Sequence, residues 1–369
     1  MTFSTLKFPL YAKLTFVLLS LSIITVVLYY GQNILIPILL SLFFAILLRP
    51  VAVFLNVRLR FPNVIAVFVS VTMFVVFVLA IIVFVWWQVA DMTDDWNKIK
   101  YNLSDHFDHF QRWIKQRFHV SYTRQESYIH TVRDETLKGE SELMGNTLST
   151  FTDTIINVIL IPVYTFLILL YRNLFVKFLH KAVKEKNQPL LQTILVQVKI
   201  VVQSYIVGLL IEMGMVATLT TVGFMLFGIQ YAILLGAITA ILNLIPYIGI
   251  LTAAIIAIIV TLGNSNDISL IIGILVVNVI VHLIDTNFIV PKIVGNKVSI
   301  NALATIVGVI SGGALGGIPG MILSIPLMAI VKIIFDHIEP FKPWGFLLGN
   351  SVPDKFELPL IKKVIDKLN

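Results

Sequence analysis

Glu212 stands between Ile211 and Met213 in a stretch that is otherwise apolar from Ile200 to Phe227. A charge at the centre of a membrane-spanning helix costs about 2.5–3.5 kcal/mol on insertion scales, so such residues face protein or water. Glu212 is therefore a candidate cation or proton site, or else a protonated glutamate bonded to a neighbouring helix. His282 and Asp285 lie three residues apart, a spacing that places them on one helical face, and Asn278 extends the stripe. A neutral imidazole beside a carboxylate can pass a proton near physiological pH. The same pair can also fix the depth and packing of a helix end.

Two breaks in apolar sequence supply a second kind of chemistry. One reads Asn243-Leu244-Ile245-Pro246-Tyr247-Ile248-Gly249. The other runs from Ser311 to Gly320 and contains Gly312, Gly313, Gly316, Gly317, Pro319 and Gly320. Glycine costs about 1 kcal/mol and proline about 3 kcal/mol relative to alanine inside a helix. Backbone groups freed at membrane depth are tolerated only where protein or a watery cavity covers them, and transporters build substrate sites from such breaks. Close small-residue packing or a simple turn is the alternative reading.

These residues require helices at membrane depth, and the composition supplies them. Of the 369 residues 58% are hydrophobic and 13% charged, with a mean hydropathy of +0.93. Soluble domains carry about 25% charged residues. The expectation is an all-α polytopic membrane protein whose first partner is the lipid bilayer. The net charge of +7 reflects lysines and arginines in short loops, as the positive-inside rule requires, and implies no nucleic acid. The absence of cysteine removes disulfides and thiolate chemistry.

Leu14–Tyr30 and Ile34–Leu48 read as two spans joined by a tight turn at Gly31-Gln32-Asn33, and Val64–Ala90 as a third. Residues 1–90 thus form a scaffold. Residues 91–150 form a polar insert, with Trp96, Ile99, Leu103, Phe107, Phe110 and Ile114 at the spacing of an amphipathic helix. Such a helix would lie on the membrane or pack on a neighbouring subunit. Its Asp105, His106, Asp108 and His109 fit a solvated face better than a metal site. Residues 151–171 return across the membrane, and 172–199 form a basic, cytoplasmic connection. Residues 200–335 hold the broken segments, and 336–369 a cytoplasmic tail. Two threadings satisfy this pattern. In one, six transmembrane helices accompany two re-entrant hairpins, making Ile200–Leu262 and Ile268–Ile334 an inverted repeat. In the other, both broken segments cross and eight helices span. The charge rule favours the first and places both termini in the cytoplasm.

The segment Asn243–Gly249 resembles the Asn-Phe-Ile-Pro-Tyr-Ile-Gly segment of the AI-2E (autoinducer-2 exporter) family of bacterial permeases. Ile284-Asp285-Thr286-Asn287-Phe288-Ile289-Val290-Pro291-Lys292-Ile293-Val294-Gly295 is similar to that family's acid-x-Asn…Pro…Gly signature. Ser311–Gly320 and Ser324-Ile325-Pro326-Leu327 resemble its glycine-rich and small-x-Pro ending. The resemblance implies an inner-membrane, homo-oligomeric permease, pentameric in one form. It would export autoinducer-2 or exchange sodium or lithium for protons. It adds Asn287 and Pro291 to the candidate pathway. At Asn301-Ala302 many members carry His-Pro, so Asn301 is a departure that bears on proton handling.

The resulting expectation is a transporter of a small polar solute or ion, H+ or Na+, working by alternating access without a cofactor. A cation/proton antiporter or an uncoupled facilitator is the nearest variant. An intramembrane enzyme would need a nucleophile–base pair or metal ligands, and neither His-Glu-x-x-His nor Gly-x-Ser-x-Gly occurs. A membrane scaffold that recruits partners through its insert is the third reading.

Overall fold

The computed structural model describes residues 9–118, 159–245, 248–265, 267–293 and 300–350. Among these no strand occurs, and helix accounts for nearly everything. The helices are α1 (Leu10–Val57), α2 (Asn63–Asp94), α3 (Trp96–Phe118), α4 (Ile159–Leu170), α5 (Arg172–Ala182) and α6 (Gln188–Leu226). They continue with α7 (Ala232–Leu242), α8 (Ile248–Asn264), α9 (Ile268–Ile284), α10 (Val290–Ile293), α11 (Ala302–His337) and α12 (Lys342–Leu348). Five helices are long and apolar enough to cross a membrane, or six when the bent pair α4–α5 counts as one span. The chain is an all-α polytopic membrane protein.

The N-terminal helices differ from expectation in one respect. No turn occurs at Gly31-Gln32-Asn33, and α1 is a single helix of 48 residues. None of the three residues blocks a helix, and one glycine costs only about 1 kcal/mol. Pro37 also lies inside this helix. The Ser41 hydroxyl lies 2.6 Å from the Pro37 carbonyl and 2.9 Å from that of Ile161 on α4. The C-terminal half of α1 packs with α2 and α4 through Ala45, Leu48, Ala52, Val67, Val71 and Leu169. The stretch from Phe16 to Tyr30 is apolar and exposed wherever it is described.

The C-terminal half contains two helical hairpins. In the first, α7 and α8 are joined through the break at Asn243. Gly249 sits so close to the end of α7 that a Cβ there would collide with the Leu242 carbonyl. In the second, α11 reverses direction at Gly316 (φ −150°, ψ 17°) and Gly317 (φ 57°, ψ −147°). Only glycine adopts the latter without strain. The two limbs lie side by side. A Cβ on Gly308 would come 3.1 Å from Met328 Cγ, and one on Gly313 3.0 Å from Met321 Cγ. Gly312 and Gly320 face each other so closely that a Cβ on either would strike the other's carbonyl oxygen. A straight helix would hold residues 308 and 328 about 30 Å apart at 1.5 Å per residue, so the segment folds back on itself.

The hairpins enter from opposite ends of the bundle. Both ends of the α7–α8 hairpin meet α3. Gln230 Nε2 donates to Asp95 Oδ2 at 3.2 Å, and the Tyr231 hydroxyl donates to the same oxygen. At the other end Asn102 Nδ2 donates to the Gly263 carbonyl at 3.0 Å. His106 Nε2 lies 3.4 Å from the Ser265 carbonyl. The ends of the α11 hairpin instead meet α12. Asn301 Nδ2 donates to the Leu347 carbonyl at 2.6 Å, and the Asn301 N–H donates to that of Leu348 at 3.0 Å. The turn of α11 reaches Ile36 on α1, and Leu323 packs with Phe43 and Val202 of α6. Each unit is thus a long helix followed by a hairpin, in opposite orientation. The opposed hairpins match the inverted-repeat reading, whereas the unbroken α1 replaces two of the six helices expected beside them.

Overpacking a close backbone contact costs about 1–3 kcal/mol. Gly320→Ala should therefore lower the thermal midpoint of the purified protein measurably. Gly214→Ala, at a position with no heavy atom within 4 Å of the added Cβ, should not. Equal midpoints for the two variants would contradict the hairpin.

Candidate ion and solute site

The site forms where α6, the first hairpin and the end of α9 meet. One face of α6 is buried at Val202, Tyr205, Gly208, Glu212, Val216, Thr220 and Phe224, steps of three and four that follow the helical period. Glu212 is the acid on that face and is only 8% exposed. Asn243 follows α7 at the hairpin break. Its amide nitrogen lies 3.0 Å from Glu212 Oε1 and 3.4 Å from Asp285 Oδ2. Asp285 is 6% exposed. One primary amide carries two N–H bonds and can serve both carboxylates.

Asp285 is placed by an irregular turn. Pro291 has no N–H, and in a regular α-helix its ring would press on the Asn287 carbonyl. The chain widens into a π-helix over Asp285–Ile289, and the Val290 N–H bonds to the Asp285 carbonyl. Single π-turns inside α-helices often mark functional positions. The turn directs Asp285 and Ile289 inward and leaves Thr286, Asn287 and Phe288 exposed.

At 1.5 Å per residue, Glu212 lies about 20 Å along α6 from Leu226, and Asp285 about 25 Å along α9 from Ile268. Both acids are thus far from the α3 end of the bundle and buried among helices. Two carboxylates sharing one amide at that depth cannot both keep an uncompensated charge. The arrangement suits one proton or one small cation bound between them.

The remaining candidates lie elsewhere. Asn278 is buried on α9 and donates to its own helix at Ile274, 3.0 Å away. His282 is exposed, whereas Asp285 three residues on is buried. Asn287 is exposed and donates to the Leu283 carbonyl at 2.9 Å. Pro291 is exposed and acts through the π-turn. Asn301 caps α11, its Oδ1 accepting from the Ala304 N–H at 2.8 Å. Gly249 closes the first hairpin. Gly312, Gly313, Gly316, Gly317, Pro319 and Gly320 all belong to the second hairpin, whose turn meets Ile36 of α1 at Gly316. Pro246 lies outside the described residues. Among those residues, no group of three His, Cys, Asp or Glu side chains gathers around a metal position.

A family model for AI-2E family transporters matches residues 18–339. The chain belongs to the AI-2E family. YueF of Bacillus subtilis is 36% identical over 135 residues, covering 37% of this chain and 36% of YueF. YrrI of the same organism is 31% identical over 133 residues, 36% and 37% of the two chains. A Haemophilus influenzae protein is 26% identical over 338 residues, 87% of this chain and 91% of its own length. Each is named "putative transport protein". The match thus takes in little more than a third of each Bacillus relative, and nearly all of the Haemophilus one. Membership makes this AI-2E protein a multi-pass membrane protein of a transporter family.

Two features of this AI-2E protein escape simple sequence reading. Tyr205 and Thr220 share the buried stripe of Glu212, and their spacing from it was the available signal. The docking of α3 onto α8 of its own chain had no local signal. There Ile99 lies against Gly263, where a Cβ would come 2.5 Å from Ile99 Cγ2.

Removing the bridging amide leaves two buried acceptors short of a donor. Asn243→Ala should cost about 1–3 kcal/mol of stability. Combined with Glu212→Gln, it should show a coupling energy of about 0.5–3 kcal/mol in a double-mutant cycle of denaturation measurements. Strict additivity would mean that the amide does not link the two sites.

Proposed function

We propose that the chain is a secondary transporter in which Glu212, Asn243 and Asp285 form the coupling site for a proton or sodium ion. The observation that carries this reading is the pair of buried carboxylates on one amide, at the break of a hairpin deep in the bundle. A site assembled from a discontinuous helix is how transporters hold ions and substrates near the bilayer midplane. Binding of the cation would relieve the charge on the carboxylates and let the α7–α8 hairpin shift against α6 and the N-terminal scaffold. The opposed hairpins supply an inverted arrangement for alternating access. The transported solute is a small polar molecule, with autoinducer-2 the candidate that the family resemblance supplies. Placement in the bacterial inner membrane, with the basic connections and C-terminal tail cytoplasmic, and assembly into a homo-oligomer complete the proposal.

Cation/proton exchange without an organic solute is the nearest alternative and uses the same carboxylates. An uncoupled facilitator would have no need of them. Proteoliposome flux under imposed pH and sodium gradients separates the readings. Glu212→Gln and Asp285→Asn are each expected to lower gradient-driven flux at least tenfold while the protein remains folded. Gradient-independent flux that survives both substitutions would support the facilitator and end the coupling role.

A further inference from the structure

Buried hydroxyls in this protein generally turn back onto their own helix. Ser70 donates to Ala66, Thr165 to Ile161 and Thr239 to Leu235, each at 2.7 Å, and Ser324 donates to Met321 at 2.6 Å. Thr220 and Thr261 do not. Their buried hydroxyl oxygens have no hydrogen-bond partner, and neither do Asn264 Oδ1 and Asp285 Oδ1. Among the described residues these are the four buried side-chain atoms in that condition. All belong to α6, α8 and the π-turn that ends α9.

The faces that carry them meet. Val216 and Phe224, one turn either side of Thr220, share a packed cluster with Ala257 on α8 and with Ile274, Val277 and Val281 on α9. Thr261 is one turn beyond Ala257, and Asp285 one turn beyond Val281. Their depths form a series. Asn264 and Thr261 lie within about 5 Å of the α3 end of α8, Thr220 about 9 Å along α6, and Asp285 about 25 Å along α9. An unpartnered buried polar atom costs about 1–3 kcal/mol, and native proteins meet that cost with ordered water or an ion.

We propose that Thr261, Asn264 and Thr220 line a hydrated entry that carries a proton or small monovalent cation from the α3 end of the bundle to Asp285. The inference rests on the coupling-site reading of Glu212 and Asp285 and adds the route to it. Asn264 Oδ1 and Asp285 Oδ1 are acceptors, and the two threonine hydroxyls can accept as well, a set that suits water and hard cations. The mouth lies at Asn264, flanked by Gly263 and Ser265, the two residues on which α3 rests through Asn102 and His106. The amphipathic helix thus covers the entry.

Thr220→Val keeps the shape and removes the hydroxyl, whereas Thr220→Ser keeps the hydroxyl. Gradient-driven flux should fall at least fivefold in Thr220→Val and stay within twofold in Thr220→Ser. The natural absence of cysteine allows a second readout. Thr220→Cys and Thr261→Cys should react with a small, charged, membrane-impermeant thiol reagent added on the α3 side of the vesicle. A dry, merely structural position predicts the reverse: Thr220→Val raises the thermal midpoint and keeps full flux, and neither cysteine reacts. That result overturns the proposal. The labelling is independent of coupling. Labelled cysteines together with intact flux in Glu212→Gln and Asp285→Asn would retain the entry and refute the coupling site. Unlabelled cysteines with flux lost in those two variants would do the opposite.

Discussion

Lipid offers no hydrogen bonds, so a chain that interrupts a helix at membrane depth must cover its own backbone. The break at Asn243 meets that requirement by lying against α6 and the end of α9. The residues it meets there are two acids. Asn243 completes the turn through backbone bonds to Thr239 at 2.9 Å, and its side chain bridges Glu212 and Asp285. Closing the hairpin and assembling the acid pair are consequently one event. Each acid depends on the hairpin for a donor, and the hairpin depends on the acids to make burial of its amide favourable. Any change in the occupancy of the carboxylates therefore bears on the position of the hairpin.

The second hairpin obeys the same constraint with different means. No side-chain bridge closes it. Gly312 and Gly320 let the two limbs approach until backbone meets backbone, and Asn301 ties its ends to α12. The first hairpin is held at its ends by α3, the second by α12. These braces lie at opposite ends of the bundle, and α6 runs past both hairpins. Val202 packs with Leu323 of α11, and Val216 and Phe224 pack with α8 and α9 further along. A shift along α6 would thus be felt at both hairpins.

The membrane class, the two breaks and their opposed arrangement were legible in the sequence, because clustered glycine and proline are too costly for an apolar run to carry as unbroken helix. Glu212 and Asp285 were legible for a related reason: acids at membrane depth are costly enough to stand out. Their meeting was not, since Glu212, Asn243 and Asp285 come from three separate elements and no local spacing connects them. Gly31-Gln32-Asn33 misled because polar and small residues that suit a turn also fit a helix when nothing opposes it. His282 and Asp285 share a three-residue spacing, yet only Asp285 is buried, because the π-turn that follows carries it toward Asn243 while His282 stays exposed. The docking of α3 depends on Gly263, a residue whose small size matters only because Ile99 occupies the space beside it.

In the proposed coupling site Glu212 and Asp285 together hold one proton or small cation. Whatever binds the native state alone raises its stability, by about 2.7 kcal/mol at a hundred times the dissociation constant. Thermal unfolding of the purified protein across sodium concentration and pH, at constant ionic strength, tests this directly. The wild-type midpoint should rise by several degrees with sodium or with acidification. That rise should be absent from Glu212→Gln and from Asp285→Asn. Equal shifts in all three proteins, or no shift in the wild type under either condition, would contradict the account.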